Sequence, residues 1–139
     1  MYKIKIYSPG KIREEWLNRA IDEYKKRLQK TIEIIWLHPK TDKELTELVL
    51  KERGAIALDP TGKLLSSEEF ASLLYETMER DGARLSLVIG GCEGLPKELD
   101  FLPKISLSKM TFTHQMTRLV LLEQIYRAEQ IQKGSLYHK

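Results

Sequence analysis

Two short runs constrain this chain more than anything else in it: Ala55-Ile56-Ala57-Leu58 and Leu85-Ser86-Leu87-Val88-Ile89. Strands so nearly free of polar alternation are covered on both faces, which is the habit of parallel sheets. Between them lies an amphipathic stretch opened by Ser66-Ser67-Glu68-Glu69, which has capping-box spacing. Its inner face is Phe70, Leu73, Leu74 and Met78, and it stops at Asp81-Gly82. A strand, a helix and a second buried strand make a crossover unit, and the rest of the sequence repeats the theme.

Residues 3–7 alternate with period two and end at Ser8-Pro9-Gly10, a strand and a turn. In residues 13–29, Trp16, Leu17, Ala20, Ile21, Tyr24 and Leu28 recur at helical spacing. Residues 31–37 are rich in β-branched and aromatic side chains and close at His38-Pro39, a second strand. Thr41 and Glu44 open a short helix expected to reach Arg53, with Gly54 as its C-cap. The strand from Ala55 is expected to stop at the turn Asp59-Pro60-Thr61-Gly62. A short strand is expected around residues 104–107, and a final helix from about His114 to Gln132, broken by Gly134. Strands alternating with helices predict an α/β fold, a mostly parallel sheet with helices on both faces. With no linker or repeat in 139 residues, residues 1–139 read as one domain.

The hydrophobic fraction of 42% against 31% charged residues is that of a chain that buries a core rather than a disordered one. A single cysteine, Cys92, excludes an internal disulfide, and with three scattered histidines it argues against a structural zinc site. The N-terminal residues lack the apolar core of a signal peptide, and no run approaches a membrane span. The expectation is a cytoplasmic protein with no membrane and no metal. A net charge of +3 permits a polyanionic partner without demanding one.

In such sheets ligands sit beyond the carboxyl ends of the strands. Gly90-Gly91-Cys92-Glu93-Gly94 follows a strand directly, but matches neither a Rossmann fingerprint nor a P-loop, and reads as a tight turn or a ligand loop. Residues 107–114 read as a loop with Thr113 as the N-cap of the last helix, and no nucleophile elbow surrounds Ser106 or Ser108. The last helix carries Met116, Leu119, Val120, Leu121, Leu122, Ile125, Tyr126, Ala128 and Ile131, more than one stripe. Such a helix is either central to the core or shared with a second subunit.

Taken together, Ala57-Leu58-Asp59, Leu87-Val88-Ile89-Gly90-Gly91-x-Glu93-Gly94, Leu107-Ser108-x-Met110-Thr111-x-x-His114, Glu123-Gln124-x-Tyr126-Arg127-Ala128 and the terminal Tyr137-His138 resemble the RlmH family. These are small SPOUT-class methyltransferases acting on pseudouridine in large-subunit ribosomal RNA. The resemblance spans the chain. Leu136 stands where the family usually has Pro, and the segment between His38 and Arg53 is short for the family.

The resemblance implies a SPOUT (α/β-knot) fold with a C-terminal trefoil knot, a homodimer, and S-adenosylmethionine as the methyl donor. It implies methylation at N3 of a pseudouridine in 23S ribosomal RNA. The alternatives are another RNA substrate, or a non-catalytic module that binds RNA or the ribosome. Carried over by position, the cofactor residues are Leu58, Gly90, Leu107, Ser108, Lys109, Met110, Thr111 and Phe112. Gly90 is expected to let the ligand approach, so that Gly90→Val blocks binding and spares the fold. Catalysis falls to His138, as base or orienting group, and Tyr137, on a tail closing over the site, while Arg118, Arg127, Lys133 and Lys139 are candidates for RNA contact. Leu122→Glu is the probe of the dimer, unless Leu122 faces the core of its own subunit.

Overall fold

A computed structural model describes residues 1–91 and 93–139; Cys92 lies outside the described residues. Five strands, β1 (Tyr2–Tyr7), β2 (Ile32–Leu37), β3 (Ala55–Leu64), β4 (Arg84–Ile89) and β5 (Lys104–Ser106), form one parallel sheet in the order β2-β1-β4-β3-β5. Four helices connect or follow them: α1 (Glu15–Leu28), α2 (Asp42–Leu50), α3 (Ser67–Arg80) and α4 (His114–Lys133). A single 3-10 turn, Lys97–Leu99, precedes β5.

Both faces of the sheet are covered, but unequally. On one face Ile4, Ile6, Leu85 and Leu87 pack with Leu17 and Ile21 of α1, Phe70 and Leu74 of α3, and Leu121 and Ile125 of α4. On the other, Tyr7, Ala57 and Val88 meet Leu45 and Val49 of α2 and Leu99 of the 3-10 turn. Successive strand residues point to opposite faces, so the two apolar runs feed both layers at once.

The helix ends follow local chemistry. Ser66 accepts from the Glu69 backbone N–H while the Glu69 carboxylate accepts from that of Ser66, a complete capping box. Thr41 caps Glu44, but the Glu44 carboxylate takes the Lys40 N–H, so that box is only half made. Thr113 caps α4 through the Met116 N–H, and Gly134 closes it at φ +73°.

Two expectations about elements fail. α2 ends at Leu50 with Lys51 as its cap, in ordinary right-handed geometry, so Gly54 is not a helix terminator. β3 does not stop at Asp59. It continues through the Asp59–Gly62 corner to Leu64, its register on β5 shifting between Leu58 and Lys63. The corner is a bulge inside a strand, and local turn chemistry does not distinguish it from a loop.

Gly62 explains why the extension is possible. A Cβ there would lie 2.6 Å from the Ile105 backbone nitrogen and 2.6 Å from the Lys104 carbonyl carbon. Only a residue without a side chain lets β3 ride this close to β5. Gly62→Ala is therefore expected to cost about 1–3 kcal/mol by overpacking. Gly54→Ala, whose Cβ would meet nothing within 4 Å, should stay within about 0.5 kcal/mol of the parent. Urea denaturation of the two variants side by side checks both.

Candidate cofactor pocket and C-terminal tail

A pocket of about 480 Å³ opens at the carboxyl ends of β3, β4 and β5. Three segments build it. The end of β3 supplies Leu58, Asp59 and Pro60. The glycine loop after β4 supplies Gly90, Gly91, Gly94 and Leu95. The stretch from Ser106 into α4 supplies the third wall, ending at His114 and Thr117. This is the position that open α/β sheets reserve for ligands.

Seven of the eight residues assigned to the cofactor meet here: Leu58, Gly90, Leu107, Ser108, Met110, Thr111 and Phe112 line the pocket. Lys109 is exposed and is not among the lining residues. Sequence reasoning missed Asp59, His114 and Thr117, which also line it. The signal for Asp59 was its place at a strand end, and for His114 its place in the first turn of a helix that starts at the pocket.

The walls are shaped by their own hydrogen bonds. Ser106 Oγ donates to the Ser108 carbonyl at 2.8 Å, and Ser108 Oγ accepts from the Met110 N–H at 2.9 Å. These hydroxyls bend the 106–110 segment and leave its other backbone groups to face a ligand. The glycine loop turns back on itself, the Gly94 N–H bonding the Gly91 carbonyl at 2.9 Å. A Cβ on Gly90 would sit 2.7 Å from the Gly94 carbonyl carbon and 2.9 Å from the Leu95 nitrogen. Gly90 is thus demanded by the loop's own packing. Gly90→Val cannot spare the fold as expected, because the valine meets backbone before it meets any ligand.

Asp59 is held at the rim by Thr61, whose N–H and Oγ both donate to Asp59 Oδ1, at 2.8 and 2.6 Å. Those bonds keep its carboxyl below the usual carboxylate range. The folded value lies below the unfolded one, so the stabilisation from this turn is present at neutral pH and lost as acid titrates the group.

The basic residues take unexpected places. Arg118 is not on the surface: it is fully buried, its Nε donating to Ser8 Oγ at 2.6 Å and its Nη2 to the carbonyls of Pro9 (2.6 Å) and Gly10 (2.9 Å). Burial pulls its pKa down. It cannot reach an RNA phosphate, which corrects that expectation. It is instead a tie between α4 and the loop after β1, and Pro9 in turn packs near Gly91 of the pocket. Arg127 is also committed, lying over the Tyr137 ring at 4.9 Å, 3.4 Å from the Glu123 carboxylate and 3.1 Å from His138 Nδ1. Lys133 is exposed, 3.5 Å from the buried Glu129 carboxylate, and Lys139 is exposed.

The tail is docked rather than frayed. Tyr137 packs edge-on against Tyr126 at 4.9 Å and donates its hydroxyl to Glu123, and its pKa is raised by burial and by that carboxylate. His138 contacts the Glu68 carboxylate at the start of α3, which holds Glu68 below its ordinary pKa. Neither residue lines the pocket of its own chain. Among the described residues no group of acidic, His or Cys side chains could hold a metal ion, and no helix is long and apolar enough to cross a membrane.

A parallel sheet whose strand-end pocket is lined by a glycine loop and by the entry to a C-terminal helix is an α/β domain with a candidate ligand site at its strand ends. Comparison with known proteins makes the class specific. The sequence profile described as "Predicted SPOUT methyltransferase" matches residues 2–138. The chain is 52% identical over 140 residues to "Ribosomal RNA large subunit methyltransferase H" of Protochlamydia amoebophila (strain UWE25), covering all of both chains. Proteins of the same name from Clostridium novyi (strain NT) and Clostridioides difficile (strain 630) are 41% and 42% identical over 159 residues, covering 98% of this chain and 99% of theirs. The chain belongs to the SPOUT methyltransferase family.

The Arg118 tie yields a direct prediction. Arg118→Met keeps much of the volume but removes the donors to the buried Ser8 hydroxyl and to the Pro9 and Gly10 carbonyls, and is expected to cost about 2–4 kcal/mol. Thermal unfolding followed by circular dichroism measures it. Arg118→Met unfolding like the parent would show the tie to be dispensable.

Proposed function

We propose that this chain transfers a methyl group from S-adenosylmethionine to N3 of a pseudouridine in the 23S ribosomal RNA of the large subunit, acting in the cytoplasm as a homodimer. The observation that carries the reading is the pocket itself. Its volume of about 480 Å³ suits a nucleoside-sized ligand, and Leu58, Ile89, Leu95, Leu107 and Phe112 offer apolar walls for a purine and a thioether chain. The backbone of residues 107–112 offers the donors and acceptors that read an adenine edge.

S-adenosylmethionine, when bound, supplies an already activated methyl group. The work left to the chain is to hold donor and acceptor in line and to take the proton from the imide nitrogen. The new bond joins N3 to the methyl carbon as the carbon–sulfur bond breaks. An imidazole nitrogen can accept a proton. We assign that role to His138, with Tyr137 stacking on or bonding the target base. Because both lie outside the pocket of their own chain, they serve the site of a second copy. Lys139, exposed at the end of the tail, is then placed to neutralise RNA phosphate, as is Lys133.

The surface of α4 supports a dimer. Leu121, Leu122, Ile125 and Ala128 are used up in the chain's own core, whereas Met116 is 38% exposed and Leu119 and Val120 are half-buried. Leu122→Glu would therefore unfold the monomer and does not probe assembly. The knot that the family implies would form where the chain leaving β5 passes the glycine loop on its way to α4, and the sharing of one pocket by those segments supports that path.

Three measurements test the reading. Light scattering at micromolar concentration should give twice the chain mass, and Met116→Glu should shift it toward the monomer while the protein stays folded. Calorimetry should detect S-adenosylmethionine binding to the parent and to His138→Ala alike, while His138→Ala methylates ribosomes ~10²–10⁴-fold more slowly. Mass mapping of 23S RNA from cells lacking the gene should show one pseudouridine short of a methyl group. A missing methyl at another RNA nucleotide would reassign the substrate, and no change in any RNA, with no cofactor heat, would leave a non-catalytic RNA-binding module.

A further inference from the structure

The pocket has an electrostatic character that its size and apolarity do not require. Among its described lining residues, one side chain carries a formal charge: Asp59. The one other titratable side chain in the lining is His114. Asp59 Oδ1 is occupied by the two Thr61 donors, and among the described residues no donor reaches Oδ2. No cation pairs with the carboxylate within 4 Å among the described residues. The nearby Lys104 directs its ammonium to Asp100 and to the Leu102 carbonyl instead. The buried charge of Arg118 is turned to Ser8, Pro9 and Gly10, and Arg118 does not line the pocket.

An ionised carboxylate, half-buried beside apolar walls and with Lys104 acting on it only from beyond direct pairing distance, favours a cationic occupant over a neutral one of the same shape. The methyl donor and its product differ in this respect and in little else. S-adenosylmethionine carries a positive sulfonium, and S-adenosylhomocysteine carries a neutral thioether in the same place. Adenine, ribose, ammonium and carboxylate are common to both. We propose that Asp59 is the residue by which this pocket distinguishes the charged methyl donor from its uncharged product, a proposal that rests on the cofactor assignment above. Thr61 is its positioning residue, holding the carboxylate ionised and fixed at the rim. The device favours loading of fresh donor and release of spent product without any moving part.

Asp59→Asn tests this cleanly, since the amide oxygen can still accept from Thr61 and the shape is kept. Calorimetric titration of the parent and of Asp59→Asn with each ligand separates the possibilities. The expected result is about a tenfold loss of affinity for S-adenosylmethionine and less than a twofold change for S-adenosylhomocysteine, so that their ratio falls. Asp59→Ser, also verified as folded by circular dichroism, should lower the ratio in the same direction. Equal losses for both ligands would overturn the proposal, because Asp59 would then be bonding a group the two share. No change for either would overturn it as well. A parent protein that binds neither ligand would instead sink the cofactor assignment itself.

Discussion

A buried guanidinium without a carboxylate partner is an expensive object, and the structure spends it on one connection. Arg118, in the second turn of α4, bonds the Ser8 hydroxyl through Nε and the Pro9 and Gly10 carbonyls through Nη2, while its buried Nη1 has no partner among the described residues. Residues 8–10 leave β1, an interior strand between β2 and β4, so the tie locks the start of the last helix to the sheet. Everything in the pocket hangs from that lock. α4 brings His114 and Thr117 to one wall, and Pro9 backs the glycine loop of another. Partial satisfaction by neutral oxygens is enough to keep such a group buried, and its removal is costly because the buried Ser8 hydroxyl loses its bond and α4 its tie to the loop after β1.

The pocket is largely a construction of backbone. Two of its walls are loops bent by their own hydrogen bonds, through Ser106 and Ser108 on one side and through Gly91 and Gly94 on the other. The third is the corner of β3, where the Asp59–Thr61 bonds form a compact turn and Gly62 allows the strand to close against β5. Apolar side chains then line a space whose polar edges are fixed peptide groups.

The C-terminal tail follows a different logic. Tyr24, Tyr126 and Tyr137 gather at one end of α1 and α4, with Arg27 and Arg127 over their faces and Glu123 and Glu68 taking the hydroxyl and the imidazole. These contacts are surface contacts, each weak on its own. They present the tail in one place without burying it, away from the pocket of the same chain. That placement is the reason the proposed chemistry divides the site between two copies.

The strands, the helices and their order were legible in the sequence, because period-two and period-3.6 patterns and capping residues such as Ser66 and Thr113 act over a few residues. Seven positions that line the strand-end pocket were named from the sequence, but through family resemblance; spacing alone left Gly90-Gly91 as a turn or a ligand loop. Three things were decided only by tertiary structure. The extension of β3 past Asp59 depends on β5, some forty residues away, accepting a strand over Gly62. The burial of Arg118 depends on Ser8 and its neighbours, more than a hundred residues away, offering oxygens in the right place. The charge of the pocket depends on which side chains three separate segments turn inward, leaving Asp59 with no cation within 4 Å among the described residues. Local sequence sets what a segment prefers to be; long-range contacts settle which polar groups are satisfied, and that is where Arg118 was drawn into the core and Asp59 was left at the pocket rim.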